Sequence, residues 1–307
     1  MLNNRQKGII ALVFNALIWG AALPLVKHGF KQVSPVQFLF YRYLFASLAS
    51  LPVIILFYKK LKFKWQNLPE LLGISFFSTI LAHFILYEGL DRTSAIESSI
   101  LVSLIPIFVI FGSVIFLKEK ITKHEKIGII ITLIGSALIV LQPIIIDGKK
   151  FTLVNSLGNF MILVYNFSWT IAVLWMKKAA KKYHPFTIAY VSFFTSLIAF
   201  FLLTLKENPD FAILSILNKN MALIATLYMG ILGSFVAFFM YQYGQKYIEA
   251  SEATLFTYLQ TVISLPLAII FLGESLDLLS LLACFIIIFG IYIAEKRWSY
   301  KKKKRST

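Results

Sequence analysis

The sequence predicts an all-α integral membrane protein with ten transmembrane helices, arranged as two inverted five-helix repeats with both termini in the cytoplasm. Three observations lead to this fold class. The 307 residues are 59% hydrophobic and 14% charged, with a mean hydropathy of +0.79. Basic residues concentrate in alternate loops, and residues of the first half recur in the second. Such a composition exceeds what one water-soluble core buries, so lipid is the expected solvent.

Long apolar runs bounded by charge, proline or asparagine predict the individual spans, because a helix needs about 20 residues to cross a bilayer. In chain order the predicted spans are 8–26, 36–57, 68–90, 94–116, 127–141, 156–176, 185–205, 221–243, 250–271 and 276–294. The first run is longer than the apolar part of a usual signal peptide, so we interpret it as an uncleaved span. Ten spans leave little sequence for a soluble domain.

The distribution of lysine and arginine predicts the orientation, because basic loops are retained in the cytoplasm. With the N-terminus inside, the inner side carries 22 of the 30 basic residues and the outer side seven, while Arg42 falls within the second span. This imbalance favours an even number of spans. It also accounts for the net charge of +16 without nucleic acid as a partner. The basic tail, residues 296–307, either anchors the last span or binds anionic lipid or a partner.

Residues of the first half recur in the second half at nearly constant spacing, which predicts an internal repeat. The recurring pairs are Trp19/Trp169, Pro35/Pro185 and Gly8/Gly158 at a spacing of 150 residues, and Glu97/Glu252, Glu119/Glu274 and Gly135/Gly290 at 155. Each repeat, residues 8–142 and residues 156–295, holds five predicted spans. Because five is odd, the second repeat is expected to insert upside down relative to the first.

At these positions the sequence resembles the EamA-type branch of the drug/metabolite transporter (DMT) superfamily. The matching pieces are Trp19-Gly20, Pro35, Arg42-Tyr43-Leu44, Thr93-Ser94-Ala95, Pro106, Leu117-Lys118-Glu119-Lys120-Ile121-Thr122, Gly128 and Gly135. The resemblance covers essentially the whole chain. It implies ten helices around a central cavity lined by both halves, and transport of metabolites, often outward. The second half departs from the pattern, because Ser192 stands at the place equivalent to Arg42.

Four ionisable side chains are predicted near one level of the membrane in the first repeat: Arg42, His83, Glu88 and Glu97. A charge at mid-membrane costs about 2.5 to 3.5 kcal/mol on insertion scales, so each is a candidate functional residue. In one interpretation Arg42 anchors a substrate carboxylate or phosphate, and His83 or a carboxylate serves proton coupling. In the other, Arg42 only pairs with Glu88 or Glu97, and His83 hydrogen-bonds a neighbouring helix.

Neutral polar and aromatic side chains near mid-membrane are further candidates for the wall of a substrate cavity. They are Asn15, Trp19, Tyr165, Asn166, Trp169, Tyr258 and Gln260. Residues four apart share a helix face, which groups Asn15 with Trp19 and Tyr165 with Trp169. Aromatic rings combined with amide groups suit amino acids, nucleobases or aromatic drugs as substrates. The alternative is that these side chains only hold helices together, at about 0.6 kcal/mol per hydrogen bond.

The motifs restrict the class of function. The sequence has no Gly-rich phosphate-binding loop, which excludes an ATP-driven pump. It has no carboxylate cluster of the kind a membrane transferase needs, and we expect neither enzymatic activity nor a cofactor or metal site. We expect a secondary active transporter, an exporter or exchanger in the inner or plasma membrane, coupled to protons or to a counter-substrate. A passive channel and, less favoured, a membrane transferase are the alternatives. Small residues in spans five and ten suit packing within one chain or in a homodimer.

Overall fold

The computed structural model describes residues 2–57, 65–93, 95–119, 121, 123–147, 156–272 and 278–295, and over these ranges the chain is helical with short connections. In chain order the α-helices are α1 (Asn4–Gly20), α2 (Ala22–Gly29), α3 (Pro35–Phe57), α4 (Leu68–Ser75), α5 (Leu81–Asp91), α6 (Ala95–Val102), α7 (Ile105–Leu117), α8 (Lys123–Asp147), α9 (Ser156–Ala179), α10 (Pro185–Glu207), α11 (Asn220–Leu227), α12 (Ala237–Tyr247), α13 (Ala250–Ala253), α14 (Phe256–Leu272) and α15 (Leu278–Glu295). No strand occurs in these ranges.

Six helical stretches of the described chain are long and apolar enough to cross a membrane. They are Asn4–Gly29, Pro35–Phe57, Trp65–Asp91, Phe160–Ala179, Pro185–Glu207 and Asn220–Tyr247, with two shorter apolar helices at Ile105–Leu117 and Lys126–Gly135. Large apolar side chains face outward along them: Ile55 is 70% exposed, Phe111 66% and Leu202 61%. Such exposure is costly in water and ordinary against lipid tails. The chain is therefore an integral membrane protein.

Three of the predicted spans are interrupted rather than continuous. Span one breaks at Ala21, between α1 and α2. Span four breaks at Ser103 and Leu104, between α6 and α7. Pro106 accounts for that second break, because proline lacks an amide hydrogen and its ring collides with the carbonyl four residues earlier. Span nine begins as the single turn α13 and turns again before α14. These interruptions bring irregular backbone into the interior of the bundle.

Two long helices contain π-helical turns. The stretch Trp65–Asp91 includes one at Phe76–Ile80, and Asn220–Tyr247 includes a longer one at Tyr228–Val236. Wider turns of this kind are rare and occur frequently at functional sites. The second one carries Gly230 and Ser234, which contact α3 at Arg42.

Helices of the two halves pack against each other through close backbone approaches. The main contacts pair α1 with α12 and α14, α9 with α5 and α7, α3 with α10, and α8 with α15. Glycines make two of these approaches: a Cβ added to Gly158 would lie 2.9 Å from the Gly89 carbonyl oxygen, and one added to Gly244 would lie 3.2 Å from the Gly8 carbonyl oxygen. We call the end of the bundle at Arg5, Lys177 and Lys246 the amino-terminal face, and the end at Lys27 the opposite face.

Candidate functional site

A cavity of about 80 Å³ lies among helices of both halves. One ordered water needs about 10 to 15 Å³ on this scale, so the cavity has room for several waters or for part of a small solute. Its lining residues are Trp19, Gly20, Ala22, Leu23, Val26, Arg42, His83, Leu86, Tyr87, Ser99, Val102, Ile105, Tyr165, Trp169, Met229, Tyr241, Thr257, Gln260, Thr261 and Ser264.

Arg42 supplies the positive charge of the cavity. Its side chain is only 3% exposed, its Nε donates to Ser234 Oγ at 2.7 Å, and a terminal nitrogen donates to the Tyr87 hydroxyl at 2.6 Å. The guanidinium carbon lies 5.5 Å from the ring centre of Tyr43 and 5.7 Å from that of Tyr87. Among the described residues no carboxylate forms an ion pair with it. Since a guanidinium keeps its charge and has five N–H groups, it retains both charge and donors for a ligand.

His83 connects the cavity to a neighbouring helix. Its Nδ1 is hydrogen-bonded to the Tyr43 hydroxyl on α3. Its ring centre lies 6.1 Å from that of Trp169 and 6.2 Å from that of Tyr87. The imidazole is therefore held by a helix-to-helix bond and also lines the cavity, so both interpretations of this residue are compatible with its position.

Four aromatic rings form one wall of the cavity, which we call the aromatic wall: Trp19, Tyr165, Trp169 and Tyr241. The rings of Trp19 and Trp169 meet edge to face with centres 5.7 Å apart, and Tyr241 lies 5.4 Å from Trp19 and 5.9 Å from Trp169. Tyr165 stacks on Trp169 at 6.3 Å. Trp19 is also fixed by a hydrogen bond from Nε1 to the Gly233 carbonyl at 2.7 Å. Rings held this way present flat apolar faces to a ligand.

The sequence-predicted candidates divide into two groups. Trp19, Arg42, His83, Tyr165, Trp169 and Gln260 line the cavity. Asn15, Asn166 and Tyr258 are buried outside its lining. The Asn15 amide donates to the Ala237 carbonyl at 2.9 Å, and the Asn166 amide donates to the Leu101 carbonyl at 2.7 Å. Both asparagines thus join helices in this structure.

Of the two carboxylates predicted near Arg42, one pairs with another residue and the side chain of the other is outside the described part of the structure. Glu88 forms an ion pair with Arg92, the residue that follows the end of α5. The side chain of Glu97 lies outside the described residues, as do Glu274 and the basic tail 296–307. The partners of Arg42 in the described chain are neutral hydroxyl groups.

Several cavity residues were missed by sequence reasoning. The main ones are Tyr87, Tyr241 and the hydroxyl residues Thr257, Thr261 and Ser264 of α14. Two signals could have found them. Tyr87 and Tyr241 are 154 residues apart, between the repeat spacings of 150 and 155. The three hydroxyl residues follow each other at intervals of four and three, which places them on one helix face.

The amino-terminal face is tied together by charged groups around the segment that joins α12 to α14. The Glu119 carboxylate accepts hydrogen bonds from the amide groups of Ala250 at 2.9 Å and Ser251 at 3.1 Å. Arg5 forms an ion pair with Glu252, and the Lys177 ammonium donates to the carbonyls of Gln245 and Ile248. These bonds attach the segment to α1, α7 and α9.

The cavity extends toward the opposite face. Val26 lines it there, one residue before Lys27, whose ammonium donates to the carbonyls of Leu90 at 2.8 Å and Thr93 at 3.0 Å. Leu12, two turns before Trp19 on α1, is fully buried and does not line the cavity.

Comparison with known proteins identifies the family. The profile of the EamA-like transporter family matches residues 6–141 and 156–295. An uncharacterized transporter of Archaeoglobus fulgidus is 28% identical over 293 residues, which are 95% of this chain and 100% of that protein. The uncharacterized transporter YdfC of Bacillus subtilis is 28% identical over 292 residues, 94% of this chain and 91% of YdfC.

The fold has a counterpart among solved structures. A protein crystal structure matches 92% of this chain and 94% of its own with a TM-score of 0.72, and at 16% identity it shows a shared fold alone. Because the family profile matches both halves and nearly the whole chain, this protein belongs to the EamA-like transporter family, within the drug/metabolite transporter superfamily.

Proposed function

We propose that this protein is a secondary active transporter of small organic solutes, with an anionic group and a flat ring as the preferred substrate features. One observation carries the proposal: the guanidinium of Arg42 lines a cavity beside the aromatic wall and has no described carboxylate partner. A buried charge is stable only when it is paired or hydrogen-bonded. A substrate carboxylate or phosphate would complete its coordination.

The aromatic wall supports the second substrate feature. Indole and phenol rings offer flat faces and edge-to-face contacts that suit a ring of similar size. Gln260, Thr257 and Thr261 add hydrogen-bonding groups from α14. Amino acids, nucleobases and aromatic drugs all fit this description, and the charge of Arg42 favours those members that carry a carboxylate or phosphate.

Ten spans in two inverted five-helix repeats are part of the proposal, and repeat-related contacts support them. The glycine contact Gly8–Gly244 recurs as Gly158–Gly89, at the two repeat spacings. The lysine bond from Lys27 to the Leu90 and Thr93 carbonyls recurs as the bond from Lys177 to the Gln245 and Ile248 carbonyls. A pseudo-two-fold axis in the membrane plane would place the two contacts of each pair at opposite ends of the bundle.

Alternating access would follow from opening and closing the two ends in turn. The bonds of Glu119, Arg5 and Lys177 support a state in which the amino-terminal face is closed, while the cavity extends toward the opposite face. The excess of basic residues on the amino-terminal side favours a cytoplasmic location for both termini, in the inner or plasma membrane. The substrate or a proton bound on one side would then be released on the other, and His83 is the proton-coupling candidate.

Counterflow in proteoliposomes tests the proposal. Vesicles loaded with an unlabelled ring carboxylate should take up the labelled compound faster than empty vesicles, because a carrier returns faster when it is loaded. A panel of amino acids, nucleobases, sugars and cationic dyes, with and without a pH gradient, defines the substrate class and the coupling. Uptake that internal substrate does not accelerate would identify a passive channel instead.

A further inference from the structure

A second cavity opens on the lipid-facing side of the bundle, near the amino-terminal face. It measures about 270 Å³, and its wall includes Val53, Phe57, Phe186, Phe235, Phe239 and His184. All of these except His184 are apolar. We call it the lateral groove, and it shares no residue with the cavity of Arg42.

Aromatic side chains continue from the lateral groove along α12 toward the amino-terminal face. Phe239, Tyr243 and Tyr247 form an aromatic column along α12, with ring centres 6.2 Å apart for Phe239 and Tyr243 and 5.1 Å for Tyr243 and Tyr247. The Phe186 ring joins this column to Phe235 in the π-helical turn, with its centre 6.1 Å from that of Phe239 and 5.9 Å from that of Phe235. From Phe235 to Lys246 the chain rises by roughly 16 Å at 1.5 Å per residue, about half of a hydrocarbon core of about 30 Å. An acyl chain of one leaflet fits this depth.

The rim of the lateral groove carries a charge and a hydrogen-bond donor. Lys246 is exposed, with its ammonium 5.7 Å from the centre of the Tyr247 ring. His184 Nδ1 accepts a hydrogen bond from the Phe186 amide at 3.2 Å, so a neutral ring carries its hydrogen on Nε2. Burial and the nearby Lys246 lower the pKa of His184, which keeps the imidazole neutral at pH 7. The rim therefore combines the cation of Lys246 with the N–H of His184.

We infer that the lateral groove binds an anionic phospholipid, with one acyl chain along Phe186, Phe235 and Phe239 and the phosphate at Lys246 and His184. Charge complementarity argues for an anionic lipid over a neutral one, and the apolar depth argues for a lipid over free phosphate. The choice of the cytoplasmic leaflet rests on the orientation proposed above. The bound lipid packs on the π-helical turn next to Ser234, the partner of Arg42, and so stabilises the helix that holds the cavity.

Lipid binding by the purified full-length protein tests this inference without any transport measurement. Dioleoyl phosphatidylglycerol and dioleoyl phosphatidylcholine are titrated into detergent solution, with bound lipid followed by native mass spectrometry and stability by thermal unfolding. We expect phosphatidylglycerol to bind about fivefold more tightly than phosphatidylcholine and to raise the melting temperature more. Lys246→Gln should lower the affinity for phosphatidylglycerol about fivefold, which is the effect of one basic residue near an anionic surface. Lys178→Gln, which changes an exposed lysine on the same face, is the matched control.

Two further experiments distinguish the contribution of the acyl chain to binding from that of the headgroup. Val53→Trp fills the lateral groove and should abolish the preference for phosphatidylglycerol; if that variant does not fold, Phe239→Ala replaces it and should weaken binding. Glycerol 1-phosphate, which lacks acyl chains, should not stabilise the protein. Equal binding of the two lipids, equal loss in Lys246→Gln and Lys178→Gln, or stabilisation by glycerol 1-phosphate alone would overturn the inference. Because no substrate is present, a failure of the transport proposal leaves this result unaffected.

Discussion

Replacing Arg42 with glutamine tests the role of this residue most directly. Glutamine keeps much of the side-chain length and an amide donor for Ser234 Oγ or the Tyr87 hydroxyl, but it removes the charge. The described partners of Arg42 are neutral, so the change leaves no carboxylate without a counter-ion among the described residues. We therefore expect the substrate-free protein to be as stable as the wild type or more stable.

The size of the expected effect on substrate binding follows from the donors that Arg42 retains. Two charge-assisted hydrogen bonds to a carboxylate contribute about 1.5 to 3 kcal/mol each. Their loss amounts to about 3 kcal/mol or more, which is ~100-fold or more in affinity at 1.4 kcal/mol per tenfold change. Arg42→Lys keeps the charge and loses the two-pronged geometry, so we expect an intermediate loss of about tenfold.

The assay compares a ring carboxylate with its neutral amide, by binding in detergent and by counterflow in proteoliposomes. Arg42→Gln should lower the affinity for the carboxylate only, and the neutral amide should bind to the wild type and to the variant with equal affinity. Arg92→Gln is the control, because Arg92 is exposed and pairs with Glu88 outside the cavity.

Two results would refute this reasoning. Wild-type affinity and uptake of the carboxylate in Arg42→Gln would remove the residue from the binding site. A fall of 3 to 5 kcal/mol in the free energy of unfolding without substrate would instead indicate that Arg42 has a buried ionic partner and a structural role.

Three further predictions concern the framework around the cavity. Trp19→Phe should lower the free energy of unfolding by about 1 kcal/mol, because the Gly233 carbonyl loses its donor, and an unchanged melting temperature in thermal unfolding would contradict this. Gly230→Ala should lower the free energy of unfolding by about 1 to 3 kcal/mol, because the new Cβ would lie 2.6 Å from Phe45 Cβ. The Cβ of Gly233→Ala would meet only the flexible end of Met229, so this variant should lose less free energy of unfolding in the same assay. Equal losses in the two variants would contradict this account. Glu119→Gln should weaken the bonds that close the amino-terminal face. In a protein that carries Thr257→Cys, adding Glu119→Gln should therefore make this cysteine react faster with a thiol reagent applied from that face. An unchanged reaction rate would contradict the closure.

Features that depend on periodicity along the chain could be predicted from the sequence. The helices, their apolar surfaces and the family were expected from long apolar runs and from motifs in a fixed order, and the described helices and the family match confirm them. Six of the predicted candidates also line the cavity, because a side chain that carries a charge or a hydrogen-bonding group is costly to expose to lipid. Their tendency to face the interior is a property of single residues.

Features that depend on how helices meet could not be predicted. Asn15 and Trp19 share a helix face, yet Trp19 lines the cavity while Asn15 binds the Ala237 carbonyl. Both side chains donate to backbone carbonyls at or just before α12, which packs alongside α1, but the large Trp19 ring also extends into the cavity, whereas the short Asn15 amide does not reach it. The π-helical turn at Tyr228–Val236 was equally hidden, because it depends on the local packing of Gly230 against α3.

The sequence by itself determined that this chain is a helical membrane protein of the EamA-like transporter family, and it indicated the residues that carry charge into the membrane. Hydropathy and charge act locally, so they can be read along the chain. Only the tertiary structure decided that Arg42 binds Ser234, 192 residues away, and Tyr87 rather than Glu88. That choice depends on the close packing of Gly230 against α3, where an added Cβ would lie 2.8 Å from the Arg42 carbonyl oxygen, and no single segment contains this property of packing.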